Sequence, residues 1–416
     1  MENKIAIIGL GYVGFPLYFE MSKQLDVLGF DLSEKRVNDL MQGVDSTGEI
    51  DSVHLHELIS NQELRISSEP NILDGADIYI VTVPTPVDNY NVPDLTPLKS
   101  AMELIAVYLK KEDIVVIEST VFPGVTEEIC APILEHHSGL AFNEDFFMGY
   151  SPERINPGDK EHHLTKVIKV VSGSNENALS KISNLYNSFV SAGVFEAKDI
   201  RTAEAAKVIE NAQRDVNIAF MNELSILFEK MGLNVAEVLA AAETKWNFMP
   251  FKPGLVGGHC IGVDPYYLTY KANELGYHPQ IIDAGRRIND SMPKFYAYDF
   301  IKKLSNSGQL TNSLNLLILG ITFKENCPDI RNSKVIDLVK ELSEFGVEVD
   351  VYDPIANKDL VKEEYNLELI DNKKDIDWSR YSGIFCAVAH NEFKELEIDV
   401  SNSVLIYDIK SILNRS

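Results

Sequence analysis

Within 31 residues the chain passes from an apolar stretch, Lys4 to Ile8, into Gly9-Leu10-Gly11-Tyr12-Val13-Gly14. It then runs through a segment of helical character to about Gln24, a second apolar stretch Val27-Leu28-Gly29-Phe30, and Asp31. Strand, GxGxxG, helix, strand, acid is the order of a dinucleotide-binding βαβ unit, and no other feature narrows the fold so far. The glycines have separate tasks there: a tight turn, close approach of the backbone to a pyrophosphate, and close packing of helix on strand. The free N–H groups and dipole of the helix start hold the phosphates. An acid about twenty residues on accepts from the adenosine ribose hydroxyls and repels the extra phosphate of NADP. NAD is therefore the expected cofactor, with Gly9, Gly11, Tyr12, Val13, Gly14 and Asp31 around it. Arg36, a turn further on, either flanks the same ribose or is a solvated helix cation.

Strands expected at Ile78–Val83 and Ile114–Ile117 end in the polar turns Pro84-Thr85-Pro86 and Glu118-Ser119-Thr120. Ligands of an open parallel sheet lie beyond the carboxyl ends of its strands, so Thr85 and Thr120 stand where cofactor and substrate meet, unless they only cap the next helices. From about Arg201 to Met231 there is no Pro or Gly, which predicts one long helix, apolar on more than one face, suited to joining two domains and to a dimer interface. Lys207, Asn211 and Arg214 share one face of it. Further on, apolar runs at Leu314–Leu319, Val347–Val351, Gly383–Val388 and Val404–Tyr407, with a helix from about Ser333 to Phe345, predict a second alternating unit. It lacks GxGxxG and so takes a different ligand, with Lys324 and Arg331 as phosphate partners or surface cations. The expected class is α/β: two Rossmann-like, doubly wound parallel-sheet domains joined by a central helical region with one long helix, divided at 1–198, 199–300 and 312–416.

The formal charge of −25 is spread along the 416 residues without a long acidic block, which argues for solubility and against unspecific nucleic-acid binding. No run reaches the roughly 20 apolar residues that cross a bilayer, and the start reads as a strand and Gly-rich turn, so a cytoplasmic location without membrane insertion is expected. Cys130, Cys260, Cys327 and Cys386 share no pairing or metal spacing, and the adjacent pairs His136-His137 and His162-His163 do not suit one ion. No metal is expected.

Cys260 differs from the other three. It lies in Pro253-Gly254-Leu255-Val256-Gly257-Gly258-His259-Cys260-Ile261-Gly262-Val263-Asp264-Pro265, where four glycines imply backbone close to something. Asp264-Pro265 reads as the N-cap and first position of a helix, Tyr266 to Leu275. A thiol near a helix start, with a cation such as Lys207 if the fold brings it close, ionises at neutral pH. Beside a nicotinamide such a thiolate can trap an aldehyde, and the hemithioacetal can lose a second hydride to give a thioester.

GLGYVG, the VPTP turn, EST followed by FPG, SPERINPGD, the helix with Lys207 and Asn211, GGHCIGVDP and GITFKENCPDIRNS occur in this order along essentially the whole chain. In this the chain resembles the UDP-glucose/GDP-mannose dehydrogenase family. The resemblance implies an NAD-binding unit, a central helical region forming a homodimer, and a C-terminal unit that helps bind the UDP-sugar. It implies Cys260 as nucleophile, Lys207 as acid/base or oxyanion-stabilising cation, and Asn211 as donor to the C6 oxygen. Thr120 and Asp264 would hold or activate water for thioester hydrolysis, with Thr120 also beside the cofactor. Glu153, placed with the catalytic groups, would line the substrate with Arg154 and Ile155. Arg214, Gly254 and Gly257 would join them, Phe323 and Lys324 would contact the nucleotide sugar, and Arg331 would reach an NAD site.

Two departures from the UDP-glucose branch stand out. Pro157 replaces that branch's second glutamate and Val263 its lysine before the aspartate, which leaves the base for hydrolysis unassigned. Both features, with DPYYLTYKANELGY and AGRRIND, are similar to the UDP-N-acetylglucosamine and UDP-N-acetylgalactosamine 6-dehydrogenases of polysaccharide pathways. Oxidation of UDP-glucose or UDP-N-acetylmannosamine, a single oxidation of hydroxyacid-dehydrogenase type, and a non-catalytic NAD-binding dimer are the alternatives.

Overall fold

The computed structural model describes residues 3–61, 64–88, 90–154, 163–308, 314–396, 398 and 404–413. The chain folds as two compact units, residues 1–210 with 266–276, and residues 211–265 with 277–416.

The first unit is built on eight strands: β1 Ile5–Ile8, β2 Val27–Phe30, β3 Ile66–Ser67, β4 Ile78–Val81, β5 Ile114–Ile117, β6 Phe147–Tyr150, β7 Lys169–Gly173 and β8 Val194–Glu196. Their spatial order is β3-β2-β1-β4-β5-β6-β7-β8. All pairings are parallel except β6 with β7. In β1, β2, β4 and β5 every residue is buried, which is why they read as continuous apolar runs rather than alternating ones. The chain order reverses between β1 and β4, the crevice where such sheets bind ligands. The first helix, Gly14–Ser22, packs Phe15, Leu17, Tyr18 and Met21 into the core under β1 and β2. β4 ends at Val81, two residues before the expected Val83, and Thr82 just beyond it donates its hydroxyl to Gly9 O at 2.7 Å.

In the second unit β9 Asn315–Leu319, β10 Glu348–Tyr352, β11 Gly383–Cys386 and β12 Leu405–Asp408 form a parallel sheet in the order β10-β9-β11-β12. Chain order again reverses, between β9 and β11. The α/β class with parallel sheets and one long helix is thus as expected, the helix spanning Ile200–Met231. A second long helix, Gln280–Asn306, has Pro293 inside it, so the sequence does not announce it in the same way. It lies close to Ile200–Met231 at Gly285, where an added Cβ would sit 3.5 Å from Ala219 and from Val216. Between the two helices Asp215 accepts from Arg286 at 2.6 Å and from Asn289 at 2.7 Å, all three buried.

Candidate functional site

In the first unit the Gly-rich turn is held from below. The N–H of Leu10 donates to Asp31 Oδ2 at 2.7 Å, and Leu10 O accepts from Arg36 Nε at 2.8 Å. Arg36 is no solvated cation: its side chain is 10% exposed and pairs with Asp45 at 2.7 Å. Asp31 and Arg36 therefore hold the two peptide groups flanking Leu10, while the other Asp31 oxygen accepts from Ser33 N at 2.9 Å. Phe15 N–H reaches back to Gly11 O, so the first helical turn begins inside the motif. Nothing lies within 4 Å of an added Cβ at Gly11, which leaves room for a phosphate against the helix start. These residues fit a dinucleotide. Across the crevice Thr85 Oγ1 donates to Thr120 O at 2.7 Å, and Tyr267 donates to Thr85 O at 2.6 Å. The two expected threonines are thus joined, with Tyr267 as a brace that the sequence does not point to.

Beyond β5 and β6 lies a buried charge cluster. Lys169 on β7 donates to Glu118 at 2.7 Å and to Glu153 at 3.4 Å. Burial works against its charge, but the two carboxylates outweigh it and hold the ammonium above its usual range. Burial in turn pushes Glu118 up, against the pull of Lys169. Arg154 pairs with Glu210 on the long helix at 2.5 Å and donates to Ile168 O at 3.0 Å. Lys207, also of this unit, is buried. Ile155 and Pro157 lie outside the described residues.

The second unit gathers three of the expected catalytic residues. Asn211 Nδ2 donates to Asp264 Oδ2 at 2.6 Å, and Asp264 N–H donates to Cys260 O at 2.9 Å. The helix spans Asp264–Glu274, a turn preceding it from Cys260, and the Asp264 carboxylate, which accepts from Asn211, is buried. Cys260 is exposed, whereas Cys130, Cys327 and Cys386 are buried. Burial drives the thiols of Cys130 and Cys386 well up. Arg214, by contrast, is exposed on the helix, and its neighbour Asp215 is the buried member.

The loop before Cys260 is positioned by Asn222, which the sequence reading does not single out. Its amide donates to Gly254 O at 3.0 Å and accepts from Gly254 N at 2.8 Å. Gly258 has φ +81°, and an added Cβ there would fall 2.6 Å from the Phe323 ring. At Gly257 it would fall 2.5 Å from Asn332 O. Two of the loop's glycines are therefore explained by close approach to the segment that carries Phe323, Lys324 and Arg331. Phe323 and Lys324 line a cavity with Leu255, Ser333, Lys334 and Lys410, three ammonium groups against the single carboxylate of Glu325. Lys334 is also paired with Asp290 at 3.3 Å and Asp337 at 3.1 Å, so Lys324 and Lys410 are the cations that suit a phosphate there. Arg331 forks onto Asp329 at 2.6 and 2.9 Å.

Behind the cavity His390 locks the turn: Nδ1 accepts from Asn326 N at 3.0 Å, and Nε2 faces Asp353 and Thr322 Oγ1, each at 3.1 Å. An accepting Nδ1 places the proton on Nε2. Burial raises Asp353, but His390 and the amides of Ile321 and Ile355 outweigh it and hold the carboxyl at about 2.

Residues 3–190 match the NAD binding domain of the UDP-glucose/GDP-mannose dehydrogenase family, residues 201–291 its central domain, and residues 317–415 its UDP binding domain. The chain is 50% identical to the UDP-N-acetyl-D-glucosamine 6-dehydrogenase of Pseudomonas aeruginosa, over 99% of this chain and 98% of that one. It is 49% identical to the enzyme of the same name from Salmonella typhi, over 99% and 97%. Its fold superposes on the UDP-D-ManNAc dehydrogenase of Pyrococcus horikoshii with a TM-score of 0.89 at 31% identity, covering 99% and 96% of the two chains. No helix among the described residues is long and apolar enough to cross a membrane.

Proposed function

The chain belongs to the UDP-glucose/GDP-mannose dehydrogenase family, and from that premise we propose that it oxidises the C6 hydroxyl of a UDP-N-acetylhexosamine to the carboxylate in two steps. It is an NAD-dependent dehydrogenase. UDP-N-acetylglucosamine is the preferred sugar nucleotide, because two relatives that are about half identical over nearly the whole chain carry it in their names. The observation that carries the reading is the meeting of Asn211 and Asp264 at 2.6 Å, one helical turn from the one exposed cysteine.

NAD, when bound, accepts the hydride at each oxidation. Lys207 handles the proton or negative charge of the C6 oxygen, and Asn211 donates to that oxygen. The Cys260 thiolate adds to the aldehyde, forming a C–S bond, and after the second oxidation it is a thioester. Water then attacks the acyl carbon, the C–S bond breaks, and the thiolate leaves. Asp264 and Thr120 hold that water, with Glu153 as the carboxylate that takes its proton. Arg154, Arg214, Gly254 and Gly257 are assigned to sugar binding. Phe323 and Lys324, with Lys410, receive the nucleotide diphosphate, and Arg331 reaches toward an NAD site.

We read residues 1–198, 199–300 and 312–416 as cofactor, central and nucleotide-sugar modules, in a cytoplasmic homodimer. Exposed Ile209, Phe220, Leu227 and Met231 support the dimer. Steps of 11, 7 and 4 residues at roughly 100° each return them to one side of the long helix.

NADH formed per sugar nucleotide consumed tests the reading, run to completion with UDP-N-acetylglucosamine and, in parallel, UDP-N-acetylgalactosamine, UDP-N-acetylmannosamine and UDP-glucose. Two NADH with UDP-N-acetylglucosamine are expected. One NADH overturns the thioester route, and turnover with UDP-glucose or the mannosamine nucleotide alone overturns the sugar.

The choice of NAD rests on Asp31. Asp31→Ala is expected to raise the KM for NAD roughly thirtyfold, about 2 kcal/mol, while improving use of NADP. A variant that still rejects NADP as strongly as the parent shows that selectivity lies elsewhere.

A further inference from the structure

Two buried carboxyl groups share one buried ammonium in the first unit. Lys169, Glu118 and Glu153 are 2%, 1% and 7% exposed. The sharing is unequal, 2.7 Å to Glu118 against 3.4 Å to Glu153, so the cation is committed mainly to Glu118. Tyr186, on the helix Glu176–Asn187, donates to the second oxygen of Glu118. Glu118 is thus fully occupied by Lys169 and Tyr186, while Glu153 takes the weaker share of the charge and accepts from Arg154 N at 2.6 Å. Among the described residues, the charged and titratable groups on the elements packed here include Glu118 after β5, Tyr150 on β6 with Glu153 and Arg154 after it, Lys169 on β7, Tyr186, and Glu204, Lys207 and Glu210 on the long helix.

We propose that Lys169 and Glu118 are positioning residues that set the charge and orientation of Glu153 for the hydrolytic step. This rests on the role given to Glu153 above. With Glu118 holding the cation at 2.7 Å, Glu153 keeps only the longer contact at 3.4 Å, and its other oxygen is held by Arg154 N. Deleting either partner disturbs that balance in opposite senses. Without Glu118, Lys169 turns wholly to Glu153, and the carboxylate binds a proton less readily. Without Lys169, two buried carboxyl groups face each other uncompensated, and one of them keeps a proton.

The test is kcat against pH for the full-length enzyme with NAD and UDP-N-acetylglucosamine, in Glu118→Gln, Lys169→Met, Lys169→Arg and Glu153→Gln. The acid limb should move down by about one pH unit in Glu118→Gln and up by about one in Lys169→Met. Lys169→Arg should keep it near the parent position, and KM should change less than threefold throughout. A purely structural role would lower kcat or stability without opposite shifts. Limbs that stay put, or move the same way in both variants, overturn the proposal. If Lys169→Met does not fold, the downward shift in Glu118→Gln decides. Glu153→Gln separates the two failures: a kcat and limb unchanged there remove Glu153 from the reaction, and the proposal with it.

Discussion

Cys260→Ala should lower carboxylate formation by roughly ten-thousand-fold and leave at most one NADH per sugar nucleotide. The reason is chemical. A second hydride can leave the aldehyde carbon only from a tetrahedral adduct, and a thiolate forms that adduct at neutral pH far more readily than an alcohol does. Cys260 is the exposed cysteine of the four, in a Gly-rich turn that opens a helix. Burial holds the Cys130 and Cys386 thiols protonated, so neither can replace it. Cys260→Ser should be nearly as damaged, since its hydroxyl ionises far less. Rapid-quench product analysis with NADH absorbance checks this. A Cys260→Ala enzyme within tenfold of the parent in carboxylate formation would leave the single-oxidation or non-covalent reading standing.

Alanine at Gly11 and at Gly14 should give two different failures from one motif. At Gly14 the new Cβ would fall 1.8 Å from Gly9 O and 2.3 Å from Thr82 Oγ1, so the helix must move off β1 and β4. We expect about 3 kcal/mol of destabilisation, roughly 10 °C in melting temperature, with NAD binding lost in consequence. At Gly11 the new Cβ meets nothing within 4 Å, so the ligand-free protein should melt within about 1 °C of the parent. The methyl group occupies the space through which a pyrophosphate approaches the backbone, and NAD affinity should fall at least thirtyfold, about 2 kcal/mol. Thermal unfolding with and without NAD separates the cases. Normal NAD binding by Gly11→Ala would show that the phosphates do not pass there.

The two legible regions, GLGYVG with Asp31 and the loop around Cys260, are short and built from backbone requirements. A strand, a turn that only glycine allows and a helix start are local matters, and their order along the chain carries the chemistry. β1, β2 and β5 were legible for a related reason: fully buried parallel strands are continuous apolar runs. Arg36 was ambiguous because its partners depend on where Leu10 and Asp45 settle.

What the sequence determined by itself was the pair of α/β units, the dinucleotide turn and the long helix. What only the tertiary structure decided was which polar side chains meet: Lys169 with Glu118 and Glu153, Asn222 with Gly254, His390 with Asp353, Asn211 with Asp264. These partners lie between 16 and 53 residues apart. No periodicity marks such pairs, because a buried charge or amide is satisfied by whatever strand order and helix crossing bring beside it. Lys169 meets Glu153 because β7 runs antiparallel to β6, a choice made by packing of the whole sheet rather than by either segment alone.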